Sequence, residues 1–197
     1  MKLIKYIILY DAIDKKDILC YVLFMIKVVA YLGNPGKEYV KTRHNAGFIM
    51  AEEIYKNEVF QIKFHSQFLK QDPIVLKPIL YMNKSGIALA EAKAFYKFTA
   101  DEILVVHDDM RVPLGEARLE KGGPLYAHNG LRSIKERIGS DSFYRLRLGI
   151  GRPKYDNNSL YVTSPFTEDE LITLYNVIDK CRSINYRNIK EEIFSVI

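Results

Sequence analysis

The feature that most restricts the fold is an apolar run that ends in a forced turn. Residues Ile26 to Leu32 lead straight into Gly33-Asn34-Pro35-Gly36, where two glycines and a proline permit a sharp reversal that ordinary residues resist. Such a run reads as a core strand delivering polar groups to its carboxyl end. A second run, Ile103-Leu104-Val105-Val106-His107, is the clearest buried strand and ends in Asp108-Asp109. In open α/β sheets this edge is where ligands bind. Asn34, His44 and Asp108 are therefore candidates by placement alone.

The stretches between alternate helix and strand. Phe48, Ile49, Ala51 and Ile54 carry helical spacing. Phe64 to Leu69 and Ile74 to Leu76, divided by Gln71-Asp72-Pro73, read as a hairpin, and Ile87 to Phe98 as a helix. Ala117 to Glu120 reads as a strand. Leu131, Ile134 and Ile138 stripe a short helix that Gly139 should stop, and Tyr144 to Ile150 is another strand. Thr167-Glu168-Asp169-Glu170 matches a capping box at the start of the last helix. The pattern predicts a single-domain α/β protein: a mixed central β-sheet flanked by helices on both faces.

Size and composition agree. A chain of 197 residues with 48% apolar and 27% charged residues suits one globular core. The net charge of +5 points to an anionic partner. Cys20 and Cys181 lie far apart without metal-ligand spacing, which argues against a disulfide framework or a zinc site and for a reduced, cytoplasmic setting. The longest apolar stretch, Ile18 to Leu32, is broken by Lys27 and falls short of the roughly 20 residues a membrane span needs. Residues 1–24 have neither the apolar centre nor the cleavage site of a signal peptide. They read as an N-terminal extension, with Met25 the functional start and residues 25–197 the working domain.

Strand and loop ends bring together three amides, Asn34, Asn83 and Asn129, with His44, Asp108 and His128. Amides both donate and accept, which suits a peptide backbone or an ester carbonyl better than a phosphate alone. A histidine steadied by a carboxylate makes a general base. No Gly-x-Ser-x-Gly elbow is present, so water activated by histidine is the simpler chemistry. Gly33-Asn34-Pro35-Gly36 is not a dinucleotide fingerprint. Plainer roles exist for every one of these groups: His44 as a structural hydrogen-bonder, Asn34, Asn83 and Asn129 as turn residues, His128 in a capping or loop role, Asp108 as a cap or a partner of Arg111, Tyr39 and Tyr81 as half-buried aromatics, and Arg145 and Arg147 as the wet face of an edge strand.

Taken together, Gly33-Asn34-Pro35-Gly36, Tyr39, Thr42-Arg43-His44-Asn45, Tyr81-Met82-Asn83-Lys84-Ser85-Gly86, His107-Asp108-Asp109, Gly122-Gly123 with His128-Asn129-Gly130, and Arg145 to Pro153 closely resemble the bacterial peptidyl-tRNA hydrolase family. The resemblance runs from about Met25 through Pro165. It implies a cofactor-free, metal-free, monomeric enzyme of the cytoplasm that cleaves the ester between a nascent peptide and the terminal ribose of tRNA. By motif position His44 is the implied base and Asp108 its supporting carboxylate, while Asn34 contacts the peptide and favours N-blocked substrates. Tyr39, Tyr81, Asn83 and Asn129 fall at substrate-binding positions, with Met82 and His128 beside the cleft. Arg118, Lys121, Arg132, Lys135, Arg145 and Arg147 are candidates for tRNA phosphates. A non-catalytic RNA-binding protein of the same fold is the alternative. Three departures stand out: Pro124-Leu125-Tyr126-Ala127 replaces a run of small residues, Glu120 stands where many relatives carry a base, and the C-terminal part is short.

Overall fold

The computed structural model describes residues 25–153 and 157–196. Residues 1–24, with Cys20, lie outside them. In chain order come β1 (Val28–Tyr31), α1 (Ala46–Ile54), β2 (Gln61–Lys63), β3 (Ser66–Leu69), β4 (Ile74–Pro78), α2 (Ser85–Tyr96), β5 (Ile103–Asp109), β6 (Glu116–Lys121), α3 (Asn129–Ile138), β7 (Tyr144–Gly149), α4 (Asn158–Thr163), α5 (Glu168–Cys181) and β8 (Glu192–Ser195).

The strands form one sheet in the order β2-β3-β4-β1-β5-β7-β6-β8. Its centre, β4-β1-β5-β7, is parallel, and antiparallel strands extend both sides. The apolar run of β1 explains the layering. Val28, Ala30 and Leu32 belong to a core with Leu89 and Ala92 of α2 and Leu131 and Ile134 of α3. Val29 and Tyr31 join the opposite core with Ile49 and Met50 of α1 and Leu171, Leu174 and Ile178 of α5. A strand buried on both faces has no polar alternation to show, which is why β1 and β5 read as continuous apolar runs.

After β1 the chain builds β4 on one side of it and then crosses to β5 on the other. The carboxyl ends of β1 and β5 thus form the switch point at which such sheets bind ligands. Their register places Tyr31 beside Val106. Gly47 lets the start of α1 sit directly on this seam, since a Cβ there would lie 2.5 Å from the Leu32 carbonyl oxygen and 2.7 Å from that of Val106. This close approach brings His44, three residues earlier, over the end of β5.

Three expectations need correction. The hairpin strand begins at Ser66 rather than Phe64, because Phe64 and His65 form the positive-φ turn joining the short β2 to β3. The sheet also contains β2 and β8, and α4 precedes the last helix. Finally, Arg145 and Arg147 do not form a wet edge: β7 lies between β5 and β6, and they are 1% and 7% exposed. Their charges are met inside, Arg147 by Asp109 at 2.9 Å and Glu120 at 2.7 Å, and Arg145 by the Pro124 carbonyl at 2.9 Å.

Candidate active site

The carboxyl ends of the central strands open into a cavity of about 440 Å³. Asn34, His44, Asn83, Asp108, His128 and Asn129 all line it. They come from five stretches of the chain: the turn after β1, the 3-10 turn Arg43–Asn45, the turn Met82–Lys84, the end of β5, and the start of α3 with its cap.

At the floor, His44 Nδ1 lies 2.8 Å from Asp108 Oδ1. Asp108 is only 3% exposed, yet it remains an anion. Burial would raise its carboxyl, but the charge of His44 and the hydrogen bonds from His128 and His44 hold it well below the usual carboxylate range. For His44, burial alone would lower the imidazole; the adjoining carboxylate outweighs it and raises the group from its ordinary 6.5. With Nδ1–H donating to Asp108, the lone pair of Nε2 is the basic position.

His128 caps a helix and also reaches Asp108. Its Nδ1 accepts from the Leu131 N–H at 3.3 Å, capping α3, and its Nε2 lies 3.2 Å from the same Asp108 oxygen. The cap uses the Nδ1 lone pair, which leaves Nε2 as the nitrogen that donates to Asp108. His44, Asp108 and His128 present ligand atoms within 4.8 Å of one another, a spacing that could hold a metal ion. The tautomer set by the cap, however, directs a proton rather than a lone pair at the centre of that group.

The amides are equally specific. Asn34 Oδ1 accepts from the Met82 N–H at 2.8 Å, while the Asn34 backbone is locked to the Asn45 side chain by bonds of 2.8 and 3.0 Å. Asn129 Oδ1 accepts from Arg132 at 2.6 Å. With both oxygens engaged inside the protein, the amide nitrogens are the poles left to donate to a ligand carbonyl. Asn83 and Tyr81 are exposed on the wall, and Tyr39 stacks edge-on against Tyr81 at 6.4 Å without itself lining the cavity.

Arg118, Lys121, Arg145 and Arg147 are likewise absent from the lining. The expectation that Arg145 and Arg147 meet phosphate is corrected by their enclosure within the sheet. Arg118 pairs with Glu116 at 3.0 Å, and the Lys121 ammonium lies over the Tyr144 ring. Among groups that the sequence reading passed over, His107 donates Nδ1–H to the Asp108 carbonyl at 2.7 Å, and burial holds it far below the usual histidine range, hence neutral. Arg43 clasps both oxygens of Glu170 at 2.8 and 2.7 Å and the Pro165 carbonyl at 2.6 Å, tying the turn that carries His44 to the start of α5. Residues Asn158, Ser159 and Thr163 of α4 close one side of the cavity. The only local signal for that helix is Asn157, whose side chain caps it.

Comparison with known proteins agrees with this geometry. A family model described as peptidyl-tRNA hydrolase matches residues 28–196. The chain is similar to the peptidyl-tRNA hydrolase of Coxiella burnetii (strain CbuK_Q154), 43% identical over 161 residues, which is 79% of this chain and 86% of that protein. It is 41% identical over 164 residues to that of Aquifex aeolicus (strain VF5), covering 79% and 85%. Among solved structures, peptidyl-tRNA hydrolase from Acinetobacter baumannii superposes with a TM-score of 0.73 at 34% identity, over 80% of this chain and 85% of that one.

Proposed function

The chain belongs to the peptidyl-tRNA hydrolase family, an enzyme class, and from that premise we propose that His44 and Asp108 perform the hydrolysis. The substrate is peptidyl-tRNA, and the bond broken is the ester between peptide and terminal ribose. His44 Nε2 removes a proton from water as it attacks the ester carbonyl, Asp108 steadies the imidazolium that results, and that proton passes to the ribose oxygen as its bond to the carbonyl carbon breaks. The amide nitrogens of Asn34 and Asn129 donate to the carbonyl oxygen as it gains charge, with Asn83 beside them. An ester needs less activation than an amide, so one activated water suffices without a covalent intermediate.

The observation that carries this reading is the 2.8 Å contact between His44 and a buried, anionic Asp108 at the floor of an amide-lined cavity. Asn34 is assigned to the peptide and to the preference for N-blocked substrates, while Tyr39, Tyr81, Met82 and His128 frame the substrate end. Arg118, Lys121, Arg132 and Lys135 are assigned to tRNA phosphates, a contact that should weaken with salt. On the family's pattern this is a cofactor-free reaction of a cytoplasmic monomer, with residues 25–197 as the working unit. Cleavage of N-acetylaminoacyl-tRNA tests the reading. Turnover by the wild type that His44→Ala abolishes, with folding retained, is expected. A folded wild type that binds tRNA without cleaving it would overturn it.

A further inference from the structure

The cavity has two chemically different walls. One presents Asn34, Asn83 and Asn129. The other is made by Asp109 to Arg111 and by Leu125 to Ala127. On this second wall the Arg111 guanidinium carbon sits 3.5 Å from the centroid of the Tyr126 ring, with Arg147 at 5.7 Å from the same ring. Although so engaged, Tyr126 stays 40% exposed.

The backbone that presents this ring is strained. Tyr126 and Ala127 have φ of 48° and 62°, a left-handed region that residues with a Cβ adopt only at a cost. The loop is pinned on both sides of the ring: Arg145 bonds the Pro124 carbonyl, and the His128 N–H bonds the Leu125 carbonyl at 2.9 Å. Tyr126, stacked against the Arg111 guanidinium, lines the same cavity as His44.

Resting on the hydrolase reading above, we infer that the Arg111–Tyr126 stack is the subsite for the nucleobase of the terminal ribose. The two walls sort the two halves of the substrate. Amide groups match a peptide backbone, whereas a guanidinium–phenol stack offers the π-face and positive charge that take up an unpaired base. The base hangs from the ribose whose ester is broken, so its binding place must lie close to His44, and Arg111 and Tyr126 line the cavity that His44 lines. Because every base has a π-face, the stack detects that a base is there rather than which one it is.

The experiment compares N-acetylaminoacyl-tRNA that has an intact 3'-terminal nucleotide with the same substrate lacking only that base. Wild type should favour the intact substrate by roughly tenfold in kcat/KM, the size of one base-on-aromatic stack. Tyr126→Phe should keep that preference. Tyr126→Asn, which removes the ring but tolerates a left-handed backbone, should reduce it to near unity, chiefly through KM. An undiminished preference in Tyr126→Asn, or no preference in the wild type, would overturn the subsite while leaving the hydrolase reading intact. A folded wild type that cleaves neither substrate would instead remove the hydrolase reading, and the subsite with it.

Discussion

Among the described residues two histidines meet a carboxylate at 2.8 Å, and His44 is the one that lines the amide-rich cavity. His44 reaches Asp108 with side chains 12% and 3% exposed, at the switch point of the sheet. His65 reaches Glu91 with side chains 54% and 40% exposed, beside the outer hairpin. The distance is the same, so distance alone says little about what a pair does. In the open pair, solvent screens the charges and competes for the hydrogen bond, leaving a contact of small worth. In the closed pair, the carboxylate is a fixed anion, the imidazole has one defined proton, and the remaining lone pair faces a hollow lined with amides.

Replacing each histidine in turn gives the largest contrast. His44→Ala should cut hydrolysis by about 10² to 10⁴-fold, the range for loss of a general base, whereas His65→Ala should leave the rate within twofold of wild type. Steady-state assays of both variants check this. A His65 variant as damaged as the His44 variant would erase the contrast.

The same interior-versus-surface distinction applies to arginine. Arg147→Ala strands Asp109 and Glu120 beside an enclosed site and should cost about 3–5 kcal/mol of stability, as for a broken buried pair. Arg187→Ala, which removes an exposed contact with Asp72, should shift stability by less than about 0.5 kcal/mol. Urea denaturation of both proteins measures the difference.

Asp108→Asn probes the buried pair through pH. Activity should fall by roughly 10²-fold. Since the carboxylate raises the His44 imidazole, its loss should move the acidic limb of the rate profile to lower pH. Stability carries a matching signature. Folding depresses the Asp108 carboxyl, so its contribution is fully present above the ordinary 3.8 and is lost as pH falls through the lower folded value. The variant should therefore lose less stability than wild type as pH falls below 3.8. The smallest effect belongs to Glu91→Gln, which should alter stability by under about 0.5 kcal/mol and leave the pH–rate profile in place.

Legibility in the sequence followed burial and local signals. The runs of β1 and β5 were readable because both faces of each strand are covered, and α3 because an apolar stripe ends at Gly139, which caps it in the left-handed conformation. The Thr167 capping box formed as its spacing suggested. By contrast β2 has no buried residue, β8 buries only Phe194, and α4 buries none, so no apolar pattern marked them. Arg145 and Arg147 misled for a related reason. Alternating charge on one strand resembles a solvated face, and the carboxylates that allow Arg147 inside belong to neighbouring strands. The six polar groups of the site were identifiable through their motifs. The contact between His44 and Asp108, 64 residues apart, arises from the pairing of β1 with β5 and from the close seat of Gly47, which only the folded chain displays.

The most direct test of the account is the nitrogen NMR spectrum of the His44 imidazole, followed against pH alongside the rate of ester cleavage. The account predicts a proton on Nδ1 and a free Nε2 in the active form, with a midpoint above 6.5 that coincides with the acidic limb of the rate. An imidazole protonated on Nε2 in the active form, or a midpoint unrelated to that limb, would contradict it.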